Sequence, residues 1–563
     1  MLKGSFDGEN GLVSSGEGVV SCTLGATTVL FSGVLFNKKE LATGEENDAE
    51  IVARLYQQKG IAAFGELNGP FGVALFDGAQ LVLARDQMGQ KFLFFCKDGQ
   101  RVCFSESLND LPHGGERDWQ AFADYLSLGY VPAPRTIWRG VSKLQSGTAV
   151  LFRNGVHSFQ RYWTPVYEAS QKFSFEEAAR ETKRLALQAV KRCLAVDEKA
   201  GFLLSGGIDS SLLLSLTAGE FPSSRKAFTV GFSNPRYDER SLAQLVAKKA
   251  GVEHITQQVE PSEFTTFLKA QGLSGEPFAD SSLLPDACAM KLAASQCGTV
   301  LLGDGGDELF GGYRRYRIMA LRKRLGEGIS RLGGGAASLL AKLLPSASEG
   351  RTSLSSLARL GKALSLPPVP CYASFQELFS PGDLMALAPD LFAQKERYGT
   401  ITSYHSSWQE IYDGCPGVNG VNLIDLLYYL PDDGCRKEGL ASEYAGIMAF
   451  SPLLDMDVVR FALTLPIDYR LSSKQGKLLL RHIGKDYLPD EILHQVKRGF
   501  GMPVSAWLRN ELKPRLKELP DKLNSFGCFS KAYVQRLVDE HLAGKNDHGS
   551  KLWALICCGE GVK

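Results

Sequence analysis

A chain of 563 residues, 44% hydrophobic and 22% charged, exceeds the roughly 250 to 300 residues that one hydrophobic core serves, so about two to four domains are expected. Its formal net charge of +1 argues against a broad nucleic-acid-binding or membrane-binding face, and no apolar run approaches the roughly 20 residues of a membrane span. The 12 cysteines are scattered without paired CxxC spacing, and the start MLKGSFDGEN has no basic-then-apolar leader, which predicts reduced thiols and a cytoplasmic protein.

In chain order, the first part reads as β-structure: the runs VVSCTLGATTVLFSGVLF, FGVALFDGAQLVLARD and KFLFFCKDGQRVCFSES are rich in strand formers and broken by Gly and Asp-Gly turns. One helix is expected over about Asp48 to Lys59. Prolines between Leu128 and Leu144 mark a junction, and a boundary is placed near Pro165, giving domains 1–165 and 166–563. Beyond it helices alternate with short apolar strands: FEEAARETKRLALQAVKRCL is helix, GFLL strand, SSLLLSLTAG helix, KAFTVGF strand, ERSLAQLVAKKAG helix, and GTVLLGDGGDE strand then loop. That alternation predicts a doubly wound parallel sheet whose ligands lie beyond the carboxyl ends of its strands. The Gly-, Ser- and Ala-rich stretch Leu321 to Gly350 is expected to form a surface helical excursion.

Two glycine-rich loops fall at those strand ends. The first, Leu204, Ser205, Gly206, Gly207, Ile208, Asp209, Ser210, Ser211, lets the backbone turn with positive φ and present free N–H groups and hydroxyls to an anion. A Walker loop is absent: QGKLLL has no hydroxyl after Lys477, and no GxGxxG opens a helix after a strand. Ser-Gly-Gly-x-Asp-Ser-Ser is instead the pattern of a pyrophosphate-binding loop in enzymes that cleave ATP between its α and β phosphates. The bland alternative is a helix cap with a chance glycine pair. The second loop, LLGDGGDELFGGYRRY, adds Asp307 as a partner for Asp209 around Mg²⁺, a hard ion suited to carboxylates and phosphate oxygens.

With these two loops, the ordered strings FTVGF, YDERSLAQLVAKKAG, EPFADSS, YYLPDD, SPLLD, GKLLLR and KRGFGMPVSAWLR make the chain resemble the asparagine synthetase family. SGVLFNKKEL, DAEIVARLYQQKG, LNGPFGVALFD and LVLARDQMGQKFLFF look like the glutaminase half of that family. The resemblance implies an α/β chain, with an N-terminal αββα sandwich of the N-terminal-nucleophile type followed by an ATP-pyrophosphatase domain. It implies ATP and Mg²⁺ as cofactors, and Leu204 to Ser211, Val230, Gly231 and Gly303 as nucleotide-binding positions. Asp209 and Asp307 become metal ligands. Lys477 becomes the catalytic lysine facing the developing charge, and Asp304 the group that positions or deprotonates the nucleophile. For Lys477 and Asp304 the plain alternatives are a surface lysine and a cap to the loop.

The departures from the family pattern shape the expected reaction. Where a family glutaminase has Met-Cys-Gly-Ile, this sequence has Met1, Leu2 and Lys3, and Cys22 lies in an expected strand, so a glutaminase fold without glutaminase chemistry is expected. Before SPLLD, Met448 and Phe450 replace a family Glu and Arg, while Gly439 and Leu440 replace an Asp-Arg pair. Loss of those charges suggests that the acid, met by Gly305, Met448 and Phe450, is larger or more apolar than aspartate. The expected function is an AMP-forming amide ligase of specialised metabolism, similar to the β-lactam and lasso-peptide macrolactam branches. It would join a small-molecule or peptide carboxylic acid to an amine or ammonia, without nucleic-acid or membrane partners. An asparagine synthetase using free ammonia and a non-catalytic ATP-binding scaffold are the alternatives; oligomeric state stays open, a homodimer included.

Overall fold

A computed structural model describes every residue except 8–11, 15, 17, 100, 169–171, 221–224, 326–359, 362, 393–401, 496–500 and 562–563. Most of the expected excursion at 321–350 and the first four residues of KRGFGMPVSAWLR lie outside the described residues.

The strands run β1 (Lys3–Phe6), β2 (Leu12–Ser14), β3 (Val19–Leu24), β4 (Thr27–Gly33), β5 (Phe71–Phe76), β6 (Leu81–Arg85), β7 (Phe94–Asp98), β8 (Arg101–Ser105), β9 (Val141–Lys143), β10 (Thr148–Arg153) and β11 (Val156–Arg161). They form two antiparallel sheets, in the orders β2-β1-β8-β7-β9 and β11-β10-β6-β5-β4-β3. Alternation along the strands gives each sheet an inner apolar face, and Leu30, Leu83, Phe95 and Phe104 meet between the sheets. The helix Asp48–Lys59 covers the outer face of the second sheet through Ile51, Val52 and Leu55. It starts where expected because Asn47 and Glu50 form a capping box, the Glu50 amide donating to Asn47 Oδ1 at 3.0 Å and the Asn47 amide to Glu50 Oε2 at 2.7 Å. The helix Trp119–Leu128 covers the first sheet through Phe122 and Leu126, completing an αββα sandwich.

The second half is built on β12 (Gly201–Leu203), β13 (Lys226–Gly231), β14 (Glu253–Gln258), β15 (Thr299–Leu301) and β16 (Met448–Phe450), all parallel in the order β14-β13-β12-β15-β16. Helices cover both faces. Phe175–Leu194, Ile208–Glu220 and Arg240–Ala250 pack on one side, while Phe264–Gly272, Leu283–Ala294 and Cys435–Ala445 pack on the other. The strand order reverses between β12 and β15, and the crevice beyond their carboxyl ends is where such a sheet binds ligands. No helix among the described residues is long and apolar enough to cross a membrane.

Buried polar bonds join the two halves. Lys143 Nζ meets Glu276 Oε1 at 2.7 Å, with side chains 1% and 4% exposed. Asp432 Oδ2 accepts from the Ala133 amide at 2.7 Å, and Tyr125 Oη donates to the Ala554 carbonyl at 2.7 Å. Asp432 belongs to a π-helical stretch, Asp425–Gly434, around Pro431, which the reading of YYLPDD as a string did not foresee. Asp455 of SPLLD is a structural group: it caps the helix Met456–Thr464 and holds Arg192 through both carboxylate oxygens, at 3.0 and 2.9 Å.

Candidate functional site

The first loop turns at Gly206, whose φ of +71° a side chain rarely adopts. Its hydroxyls knit the turn together: the Gly207 amide donates to Ser205 Oγ at 3.2 Å, and the Ser205 amide donates to Ser210 Oγ at 3.3 Å. The helix then begins at Ile208, two residues earlier than expected, which puts Asp209 and Ser210 in its first turn, where free amides and the helix dipole favour anions.

The second loop lies against the first. A Cβ at Gly303 would come within 2.8 Å of the Ser210 amide nitrogen, and one at Gly312 within 1.8 Å of Asp307 Oδ1 and 2.3 Å of Lys477 Cε. Small residues are therefore required for the two loops and Lys477 to meet. Lys477 reaches this point from the start of the helix Leu478–Gly484 with φ +57°, a conformation that costs energy for a side-chain-bearing residue. Its ammonium pairs with Asp209 Oδ2 and, at 2.7 Å, with Asp307 Oδ1. All three residues are buried, at 3% exposure for Lys477 and 8% for each aspartate.

These groups open into a cavity of about 630 Å³. Of the residues singled out in the sequence, Leu204, Ser205, Gly207, Asp209, Ser210, Val230, Gly303, Asp304, Gly305, Asp307 and Lys477 line it. Gly206, Ser211 and Gly231 do not: Gly206 faces Leu242, Ser211 is fully buried, and a Cβ on Gly231 would strike Asp238 Oδ1 at 2.2 Å.

Met448 and Phe450 are not brought to the cavity, which corrects the reading of them as its substrate wall. Met448 opens β16 opposite Thr299, at the amino end of the parallel sheet, and is 44% exposed. Phe450 is buried edge-on against Phe36 with ring centroids 5.2 Å apart. Leu440 is fully buried and packs in the core.

Instead, the wall contains charges the sequence reading passed over. Arg317, Lys474 and Arg481 line it together with Lys477. Glu308 is buried beside Asp307, and desolvation together with that neighbouring carboxylate pushes its carboxyl up to about 7, while Tyr313 Oη donates to it at 2.8 Å. Asp280, Asp286, Lys437 and Glu438 also line the cavity. EPFADSS holds Asp280 and the CRKE string holds Lys437 and Glu438, Asp286 lies in neither, and neither string shows which residues meet.

The fit to Mg²⁺ rests on the donor set. Among the described residues no group of three or more His, Cys, Asp or Glu is arranged to hold a metal ion. Two carboxylates at one point, Asp209 and Asp307, nevertheless suit Mg²⁺, which takes one or two protein carboxylates and completes its shell with water and phosphate.

Residues 181–559, about two thirds of the chain, match the family described as Asparagine synthase. The chain belongs to the asparagine synthase family. Residues 14–163 match the Glutamine amidotransferase domain family. The chain is 27% identical over 544 residues to asparagine synthetase (glutamine-hydrolyzing) 1 of Bacillus subtilis (strain 168), covering 94% of this chain and 84% of that protein. It is 24% identical over 556 residues to amidase chyE of Penicillium rubens, covering 89% and 80%. As a member of its family the chain is an ATP-dependent, amide-forming ligase.

Proposed function

We propose that this asparagine synthase family member adenylates a carboxylic acid with release of pyrophosphate and passes the acyl group to an amine without hydrolysing glutamine. Residues 1–165 act as a degenerate amidotransferase domain and 166–563 as the catalytic unit. The observation that carries the reading is the convergence of Asp209, Asp307 and Lys477 where two strand-end loops meet in one cavity.

ATP is consumed as a substrate, its phosphates facing the Ser205–Ser210 turn. Asp209 and Asp307 would hold Mg²⁺, which supplies charge neutralisation at the triphosphate when bound. Lys477, fixed between the two carboxylates, contributes a positive charge toward the α-phosphate and the reacting acyl oxygen, with no reorganisation at the moment of reaction. The substrate carboxylate attacks the α-phosphorus, and Gly305 and Asp304 border the space where acid and amine meet. Asp304 receives a proton from the nucleophile.

Against glutaminase chemistry stand the three cysteines of residues 1–165. Burial raises each thiol: Cys22 with help from the Glu50 carboxylate, Cys96 to about 12, and Cys103 with help from Asp98. A thiol held above its ordinary range stays protonated and is a poor nucleophile. The polar cavity wall gives no support to an acid more apolar than aspartate. A second reading is an asparagine synthetase using free ammonia: the name of the relative asparagine synthetase (glutamine-hydrolyzing) 1 favours aspartate as the acid, while free ammonia rests on the proposed absence of glutaminase chemistry.

Carboxylate-dependent exchange of labelled pyrophosphate into ATP, screened over a panel of acids that includes aspartate, tests the proposal. Exchange is expected with at least one acid, and Asp307→Asn should reduce it by several orders of magnitude because triphosphate neutralisation is the main catalytic contribution. No exchange with any acid, or near-normal exchange in Asp307→Asn, would overturn it.

A further inference from the structure

We infer that the first half of the chain is the template for one wall of the cavity: it sets the segment carrying Asp280 and the helix carrying Lys437, with Arg436 as the positioning residue that joins them. The inference rests on the ligase reading, and it gives the first half a part in the reaction that needs no reactive thiol.

The segment from Leu273 to Ser282 joins two helices without belonging to a helix or strand, so its polar groups need partners beyond a helix or sheet ladder. The first half supplies them. Asn109 Nδ2 donates to the Gly272 carbonyl at 3.0 Å, Lys143 Nζ donates to Glu276 Oε1 at 2.7 Å, and the Ala279 amide donates to the Gly129 carbonyl at 2.7 Å. Among these anchors Gly275 turns with φ +69°, and a Cβ there would come within 2.9 Å of Leu108 Cβ. Asp280 follows directly on the last anchor and lines the cavity with Ser281 and Ser282.

The rest of the wall has anchors of its own. The Ala133 amide donates to Asp432 Oδ2, and a Cβ on Gly89 would come within 2.6 Å of Pro431 Cβ, so the first half meets the π-helical stretch at close range. Arg436, 5% exposed, lies over the Phe92 ring with its guanidinium carbon 4.6 Å from the centroid. Its Nη2 donates to the Ser274 carbonyl at 2.9 Å and to the Ser274 hydroxyl at 3.3 Å. One side chain thus ties a ring of the first half, the Asp280 segment and the helix Cys435–Ala445 together. The next residues, Lys437 and Glu438, line the cavity, and Lys437 Nζ sits 3.0 Å from both Asp286 Oδ2 and Glu438 Oε1.

A buried guanidinium stacked on a ring and bonded to a carbonyl has little room to move, so a displacement of Phe92 is passed on to Lys437. The nucleotide side is built differently. Its Ser205–Ser210 turn is fixed by its own hydroxyls, and the Leu204 amide donates to the Phe228 carbonyl at 2.9 Å, all within the second half. The anchored wall instead adjoins Asp304: burial, with Asp304 among the neighbouring charges, raises Asp286 to about 6. Disturbing it should therefore act on the acid, which the ligase reading places beside Asp304, and spare ATP.

Two substitutions at residues that do not line the cavity provide the test. Phe92→Leu removes the ring under Arg436 and leaves every charge in place, while Arg436→Met removes the guanidinium. In pyrophosphate exchange with the panel acid that exchanges fastest, each should raise KM for the acid by about fivefold or more and leave KM for ATP within about twofold of wild type. Arg436→Lys, which returns a cation to the ring, should recover part of the acid KM. Hydrogen exchange of the full chain without ligands should quicken in peptides spanning 273–286 and 435–445 and stay unchanged over 201–220. Equal rises in both KM values, wild-type kinetics in both variants, or unchanged hydrogen exchange in the two wall segments would each remove the inference. Phe92→Leu is the milder change and decides alone if Arg436→Met fails to fold. No exchange by the wild type with any acid removes the ligase reading, whereas the hydrogen-exchange contrast still decides whether the first half sets the wall.

Discussion

The two halves of this chain use strand ends in opposite ways. In the second half, β12 and β15 deliver Asp209, Asp304 and Asp307 into an open cavity, where Lys477 gathers two of them. In the first half, strands of similar length close on one another: Leu2, Leu83, Phe95 and Phe104 fill the space between the sheets, and the three thiols are raised by burial. A fold persists through its apolar pattern, while chemistry requires polar groups kept at an opening. On the reading proposed above, the first half keeps its layers and its buried bonds to the second half without a reactive thiol, since fold and site chemistry are carried by different residues.

That contrast can be sharpened within the active half first. Asp304→Asn should leave pyrophosphate exchange in place while amide product falls by about 10² to 10⁴-fold, the ordinary worth of proton transfer by a positioned group. Exchange lost as fully as in Asp307→Asn would assign Asp304 to the loop scaffold instead.

The bond between the halves comes next. Lys143→Ala leaves Glu276 as an uncompensated charge in the buried interface, and should lower unfolding free energy by about 3 to 5 kcal/mol in denaturant titration. Replacing both partners by apolar residues of similar size should restore most of that loss. If the single variant unfolds at the wild-type midpoint, the halves are held by other contacts.

The smallest effect is expected at Cys22. Cys22→Ser should change neither exchange nor amide formation, and neither protein should release glutamate from glutamine in an enzyme-coupled assay. Glutamate formed by the wild type and lost in the variant would break the comparison, since the first half would then hold a reactive thiol.

Much of the layered fold was legible because its signals are local. The capping boxes at Asn47 and Ser174 announce their helices within four residues, and glycine at 206 satisfies a turn that the neighbouring residues already define. Met448 and Phe450 were misplaced for the converse reason. A string alignment gives neither the direction of β16 nor which side of the sheet each residue faces, and β16 pairs parallel to β15 with Met448 at the end remote from the loops.

The sequence by itself determined the two turn motifs and the parallel alternation that sets them at strand ends, because backbone turns and hydrophobic period depend on residues close in the chain; Asp209 and Asp307 were proposed from those loops, and Lys477 from the family resemblance. Only the tertiary structure decided that Lys477 would sit between both aspartates, and that Asp286, Lys437 and Glu438 would share one wall of the cavity. The physical reason is that such a charge cluster is formed by the packing of two helices far apart in sequence. Its energy depends on burial and mutual distance, neither of which a residue's immediate neighbours specify.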